Sequence, residues 1–482
     1  MLSVFNSYKN RTVALFCIFT ATLFLLICSR CSPFYPLNNY ADANCFFTVG
    51  KGMIRGVVPY RDLYEQKGPL LYFLYGLASL ISQKNFFGVF ILECISWSIF
   101  LYMLYKIADI FSDNKWINCG IITFLTGTII MTNSFCSGGN SVEEYCLPIF
   151  AYSLYRILTI LQLPGPKKAL IIDGFLAGCV FFMKFTLVGL WGAWLPIIFI
   201  YFLKKQSLKT ALAAIAEFFS GFLAACLPWL IYFGINNALY DFYTAYIHNN
   251  IFLYSEVPNG SYLNIPLNIA KALIVNKAYG ISILIGFILL FFSRKANIYT
   301  KISVPLLFLF SAAGNYIGGK SYAYYPLMLA VFSIFIVLVE IPKEKKYAIK
   351  IGILGLLITI RFCPNVYFFN KPKSVMPQFE FAEIINRNEA KTLLNYGFMD
   401  EGFYTTSGII PNIKYFGTLN VLQEEIIGEQ KRYLREGLID YVVTKDSPLD
   451  FELSGNYELA AERIFFSKSY SSVYYLYKKV HN

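Results

Sequence analysis

Apolar stretches of about eighteen or more residues recur along this chain, and that is the length needed to cross a hydrocarbon core of roughly 30 Å. A segment inside lipid must satisfy its backbone polar groups internally, so it is either a helix or part of a closed barrel. The short alternating segments of a barrel are absent from the first three quarters of the sequence. Hydrophobic residues make up 57% of the 482 positions and charged residues only 15%, more apolar surface than a soluble chain has reason to carry. The expected fold class is mainly α, a polytopic α-helical membrane protein.

Hydropathy predicts about eleven spans, centred on 12–30, 87–106, 116–133, 145–163, 169–185, 187–203, 211–234, 278–293, 302–318, 322–340 and 347–363. The formal net charge is +12. It is spread as small Lys/Arg clusters between apolar runs, the pattern of cytoplasmic loops and not of a nucleic-acid surface. Lys9/Arg11, Lys106/Lys115, Lys167/Lys168, Lys204/Lys205/Lys209, Arg294/Lys295/Lys301 and Lys343/Lys345/Lys346/Lys350 fall on one side. By the positive-inside rule that side is the cytoplasm, with the amino terminus inside and the carboxyl terminus outside a cell membrane crossed many times. The first run, 13–28, follows basic residues as a signal peptide would. It lacks a small-residue cleavage site and leads into "CSRCSPFYP", so it reads as a retained helix. The 11 cysteines show no metal-type spacing and read as small apolar packing residues. Cys31, Cys45 and Cys136 fall on the outer side, where a disulfide is left open.

Composition divides the chain at about 364. Residues 1–364 form the transmembrane part, including a long first outer loop at 31–86; residues 365–482 carry more acids and no long apolar run. Other outward pieces are "NSFCSGGNSVEEY", about 235–277 and "YIGGKSYAYYP". In the last part, "LQEEIIGEQKRYLREG" places Leu422, Ile426, Ile427, Tyr433 and Leu434 at helical spacing, with Gly437 to end the helix. "DYVVT", "YELAAERIFF" and "YSSVYYLYKKV" read as strands, giving a small extracytoplasmic α/β domain. No internal repeat is visible, which counts against a transporter.

In the first outer loop, "NNYADANCFFTVGKGMIRG" reads as a helix lying on the membrane surface. Asp42, Phe46, Val49 and Met53 share one face, Asn38 or Asn39 caps the start, and Gly56 ends it. "PYRDLYEQKGPLLYFLY" follows. Pro69 suits a first helical position, and an apolar run of about 14 residues is too short to span alone, so this is a second interfacial or re-entrant helix. Arg55, Arg61, Asp62, Glu65 and Lys67 then lie at the outer boundary. Headgroup anchoring accounts for the bases; it does not account for two acids beside anionic lipid. For Asp42 alone, attraction to a helix amino terminus is a sufficient explanation.

The Asp in the first outer loop, the amphipathic "GKGMIRGVVPYRD" and the acid–x–Lys–x–Pro pattern that follows resemble the GT-C superfamily of membrane glycosyltransferases. These include protein O-mannosyltransferases and the aminoarabinose transferases acting on lipid A. The pattern is most similar to bacterial cell-surface members with "PYRD-(L/V)-(F/Y)-(D/E)-x-KGPLLYF". The layout matches throughout, the specific motifs only over about 40–85, with looser echoes in "GGNSVEEYCLP", "FFMKFT", "GGKSYAYYPLML" and "LLNYGFMDEGFYTTSGIIPNIKYF". The resemblance implies a polyprenyl-phosphate-linked sugar as donor, an outward-facing active site, Asp42 as catalytic base and Lys67 on the donor phosphate. Two departures stand out. Many members have Asp-Glu where this chain has Asp42-Ala43, so the second acid is Asp62 or Glu65, or is not required. Gly68 separates Lys67 from Pro69. Some GT-C enzymes need a divalent cation and others do not, so that requirement stays open, with no cofactor implied.

Such a transfer needs a carboxylate within reach of the acceptor hydroxyl and cations that stabilise the departing phosphate. Arg55 and Arg61 are further candidates for the phosphate. So are Lys184, in an otherwise apolar segment where a charge is costly, and Lys320 beside Gly318 and Gly319. Lys184 can equally snorkel to the surface, and Lys320 can be a solvated loop residue. Glu143, Glu144, Tyr322 and Tyr324 are candidates for the sugar, the two acids being equally suited to a helix amino terminus. His248 has no companion ligands and reads as a packing residue. The acceptor is open among a cell-envelope polysaccharide, a teichoic-type polymer, a lipid and a protein, and membrane lipids are partners in any case. The alternatives are a transporter or flippase of a lipid-linked sugar and a non-enzymatic membrane scaffold.

Overall fold

The computed structural model describes residues 8–136, 139–163, 169–255, 264–387, 391–450, 453, 455–468 and 470–480. Lys167, Lys168 and part of the third outer segment, 256–263, lie outside the described residues. The chain opens with α1 (Tyr8–Cys28), α2 (Ala41–Ile54), α3 (Pro69–Ser79), α4 (Phe87–Phe111) and α5 (Lys115–Ile130). It divides into two compact units, one of 1–29, 93–229 and 256–366, the other of 30–92, 230–255 and 367–482.

The first unit is a bundle of apolar helices. Apolar side chains such as Leu15 and Phe19 of α1, and Leu212, Phe219, Leu223 and Leu227 of the Leu208–Ile235 helix, face outward and are exposed. Exposed apolar area of this extent marks a lipid-facing surface. One pair of charges goes inside instead: Arg156 meets Asp173 at 3.0 Å with both side chains buried, as a charge taken out of water needs a partner. The chain is a multi-pass membrane protein. Among the described residues, Asn10–Cys28, Phe87–Phe111, Phe185–Lys205 and Leu208–Ile235 are each long and apolar enough to cross; Ile265–Val275 and Lys277–Phe292, bent by 111°, make a fifth crossing if taken together.

Several expected spans differ in form. The 169–185 run gives a helix only over Ile171–Phe181, broken before Lys184 and followed by a 3₁₀ turn at Phe185–Val188. The 322–340 run is a 3₁₀ helix over Tyr325–Leu338. At about 2.0 Å per residue its 14 residues rise about 28 Å, so the tighter winding recovers the reach of a longer α-helix.

In the second unit α2 and α3 cross at closest approach through Gly50 and Gly76. A Cβ on Gly50 would lie 2.6 Å from both the Gly76 nitrogen and the Tyr72 carbonyl, so only glycine fits. Two expectations for α2 are corrected here. It is not a helix with one face in the headgroups, because every residue from Ala43 to Gly52 is buried; α3 covers one side and the 395–408 segment another. Its cap is not Asn38 or Asn39. Tyr40 is the N-cap and makes no side-chain cap bond, while the Asn38 side chain accepts from the Tyr40 N–H at 3.0 Å. Gly56 does end the helix region with a φ of +87°.

The carboxyl-terminal part carries a four-stranded sheet of order β1-β2-β4-β3, with β1 (Leu393–Asn395), β2 (Tyr441–Lys445), β3 (Tyr457–Phe466) and β4 (Ser471–Lys479). β1 and β2 are parallel, joined through the Gln423–Arg435 helix; β4 is antiparallel to both β2 and β3. That helix buries Ile426, Gln430, Tyr433 and Leu434 and ends before Gly437 at φ +64°. The three longer strands and this helix are where sequence placed them; β1, three residues long, was not anticipated. Among the described residues Cys31, Cys45 and Cys136 form no disulfide. Cys136 Sγ lies 3.7 Å from Cys363 Sγ.

Candidate active site

Asp42 sits in the first turn of α2, partly buried, and its Oδ2 accepts from the Tyr40 hydroxyl at 3.2 Å. The turn before it is fixed by Asn44, whose amide donates to the Asn38 and Tyr40 carbonyls, each at 2.9 Å. Glu65 is 2% exposed. Its Oε2 accepts from the Lys67 N–H at 2.7 Å and from the Tyr72 hydroxyl. Burial pushes the Glu65 carboxyl up, the Lys67 charge and these bonds pull it down, and Asp42 adds to the rise. Asp42, Glu65 and Lys67 therefore share one electrostatic neighbourhood in the second unit. Cys45 lies within it, its thiol pushed well up by burial and then by Asp400, Glu65 and Asp42. Lys67 Nζ stands 5.9 Å from the centre of the Phe46 ring.

Asp62 has a different environment. It accepts from the Val58 N–H at 2.8 Å and from Arg61 at 2.7 and 2.9 Å, near the surface. The Arg61 bond holds its carboxyl below the usual range. Arg61 also donates to the Asn236 carbonyl at 2.7 Å, and the exposed Arg55 donates to Gln83. Asp62 and Arg61 thus stabilise the turn that delivers Glu65 and Lys67.

Tyr60 was not singled out in the sequence. It is buried at φ +71°, a conformation costing about 1–3 kcal/mol for a non-glycine residue. Its hydroxyl donates to the Lys67 carbonyl at 2.6 Å, and its ring lies among Tyr72, Phe233 and Phe242. The π-helical Tyr243–Leu253 segment braces the same loop: Asn249 donates to the Tyr64 hydroxyl at 2.9 Å and Asn250 to the Gln66 carbonyl at 2.7 Å. His248 sits in this segment against the Tyr243 and Phe252 rings. Among the described residues no group of His, Cys, Asp and Glu is arranged to hold a metal ion.

In the first unit the break after Phe181 places Lys184 against Glu143, Nζ to Oε1 at 2.6 Å, with the side chain of Glu143 wholly buried. Lys184 Nζ is also 3.6 Å from the Tyr325 ring centre and 5.7 Å from that of Tyr324. Tyr322 and Tyr324 stack at 5.7 Å, and Lys320 precedes them after Gly319 at φ +81°. The structure thus brings Lys184, Glu143, Tyr324 and Tyr325 together. Glu144 caps its own helix with Ser141 and accepts from the Trp97 indole at 3.1 Å. Glu93, not among the expected site residues although an acid inside an apolar run is itself a signal, is buried and accepts from Ser29 at 2.5 Å.

A cleft of about 1210 Å³ opens within the second unit. Its cations Arg30, Lys84, Lys373 and Arg387 come from separate segments. Its acids are engaged, Glu380 with Arg463 at 2.5 Å and Glu383 with Arg387 at 3.5 Å. Asn38, four residues before Asp42, lines one wall.

No family model matches the chain, and no curated relative matches it. The fold has close counterparts among solved structures. The crystal structure of ArnT from Cupriavidus metallidurans bound to undecaprenyl phosphate superposes with a TM-score of 0.58, covering 97% of each chain at 10% identity. The apo form of the same protein superposes with a TM-score of 0.58, covering 98% of each chain. The chain therefore shares the fold of ArnT over nearly its whole length, in keeping with the layout expected from the resemblance of the 40–85 motifs.

Proposed function

We propose that the protein is an inverting glycosyltransferase that moves a sugar from a polyprenyl-phosphate donor to a cell-envelope acceptor on the outer face of the membrane. The observation that carries this reading is the grouping of Asp42, Glu65 and Lys67 at the start of α2 and in the loop before α3. The undecaprenyl phosphate held by the similarly folded ArnT supports the choice of donor. About eleven crossings, an inner amino terminus, a transmembrane part over 1–364 and an outer α/β domain over 365–482 belong to the same proposal.

Asp42 takes the proton of the acceptor hydroxyl as its oxygen attacks the anomeric carbon, and the sugar–phosphate bond breaks with inversion. Lys67 stabilises the phosphate that leaves. Glu65, not Asp62, is the second acid. It fixes the Lys67 backbone through the N–H at 2.7 Å, whereas Asp62 already has Arg61 and the Val58 N–H. Arg55 stays a candidate for the same phosphate, whereas Arg61 is engaged by Asp62 and the Asn236 carbonyl and serves the turn. The excess of cations in the cleft favours an anionic acceptor such as a teichoic-type polymer. The reading is tested by supplying radiolabelled polyprenyl-phosphate sugars and cell-envelope fractions to the purified protein. Label passing to an envelope component supports it; label that stays on the lipid under all conditions contradicts it.

A further inference from the structure

The mechanism above leaves unused two charges buried in the second unit. Lys51 of α2 is 1% exposed, and Asp400 is wholly buried. Asn44, Thr48 and Lys51 lie at i, i+4 and i+7, on one face of the helix, and each is bonded to the 395–408 segment. The Thr405 hydroxyl donates to Asn44 Oδ1 at 2.8 Å, the Thr48 hydroxyl to Asp400 Oδ2 at 2.8 Å, and Lys51 Nζ to the Tyr404 carbonyl at 2.8 Å. Asp400 is itself held by the Gly402 N–H at 2.9 Å and the Asn395 amide at 3.2 Å. Gly402 has a φ of +104°, and a Cβ there would come within 3.0 Å of Leu37 and 3.3 Å of Asn44. Asn44 passes these constraints on, since its amide carries the Asn38 and Tyr40 carbonyls and Tyr40 bonds Asp42.

We propose that Thr405, Asp400 and Lys51 are positioning residues through which the 395–408 segment sets the orientation of Asp42. They touch no substrate; they hold the helix face next to the turn that carries the base. This rests on the reading of Asp42 as the base. It assigns the carboxyl-terminal part a role in the chemistry as well as in binding an acceptor. Burying polar side chains to reach a segment about 350 residues away is a costly way to fasten a helix if any apolar contact would serve, and three separate polar bonds along one face resist rotation about the helix axis.

Two variants test it. Thr405→Val deletes one hydroxyl at constant volume, and Lys51→Met with Asp400→Asn removes both charges together so that neither is left alone in the interior. Hydrogen exchange over residues 38–54 and transfer kinetics are measured on each full-length protein. Exchange in that stretch is expected to accelerate. kcat is expected to fall about ten- to hundredfold with the donor KM unchanged, the loss that about 1 Å of misplacement produces, and Thr405→Ser is expected to restore both. Unchanged exchange at 38–54, or accelerated exchange with wild-type kcat, overturns the proposal. If Thr405→Val does not fold, the double variant and Thr405→Ser decide. If Asp42→Asn keeps full transfer, the reading of Asp42 as base has failed instead, and the exchange measurement still decides whether 395–408 holds the start of α2.

Discussion

Asp62 and Glu65 look interchangeable in "PYRDLYEQKG", but their surroundings separate them. Asp62 is near the surface with a guanidinium and a backbone N–H, while Glu65 is buried beside Lys67 and Tyr72. Asp62→Asn keeps most of the acceptor capacity its turn needs and is expected to leave kcat/KM within about threefold of wild type. Glu65→Gln keeps the shape but removes the charge beside Lys67, and is expected to lower kcat/KM by about tenfold or more. Steady-state kinetics of the two variants checks the contrast. Lys51 gives a pH signature. Burial lowers its ammonium to about 7 from an ordinary 10.5, opposed by Asp400. The folded protein then binds fewer protons than the unfolded chain between those values, so this group's contribution to stability rises as pH rises from about 7 to about 10.5. The melting temperature of wild type relative to Lys51→Met is expected to climb across that window. The charged residues of 59–75 were legible in the sequence because charges beside an apolar run need a reason. Tyr60 was not, because a positive φ leaves no trace in composition; Glu93 did carry a signal, an acid inside an apolar run, but nothing local said that Ser29 would meet it.

At the scale of elements, α2 depends on its crossing with α3. Gly50→Leu has no room between the Tyr72 carbonyl and the Gly76 backbone, so the helices must separate. A loss of roughly 1–3 kcal/mol or more is expected, read as a lower melting temperature. The existence of α2 and its approximate ends were legible, since apolar spacing and Gly56 are local signals. Its burial on all sides was not, because Asp400, Tyr404 and Thr405 lie about 350 residues away along the chain and no periodicity encodes a partner at that distance. The 3₁₀ helix of Tyr325–Leu338 shows the same limit, as hydropathy reports an apolar run and not how tightly it is wound. β1 escaped because three residues are too few for a pattern.

For the whole molecule, the fold matches that of ArnT over nearly every residue at 10% identity, so the architecture is preserved where little of the sequence is. The cleft of the second unit bears on the acceptor. Replacing Lys84 and Lys373 together by Glu is expected to lower kcat/KM for an anionic polymer by about tenfold, with the donor KM unchanged and the effect weaker at high salt. The central claim, however, concerns a sugar leaving a lipid phosphate with Asp42 as the base. It is tested most directly by the rate of radiolabel transfer from a polyprenyl-phosphate sugar to envelope acceptor, with wild type and a normally folded Asp42→Asn protein compared side by side. Transfer by wild type and a loss of at least about a hundredfold in the variant are expected; equal rates in the two proteins contradict the account.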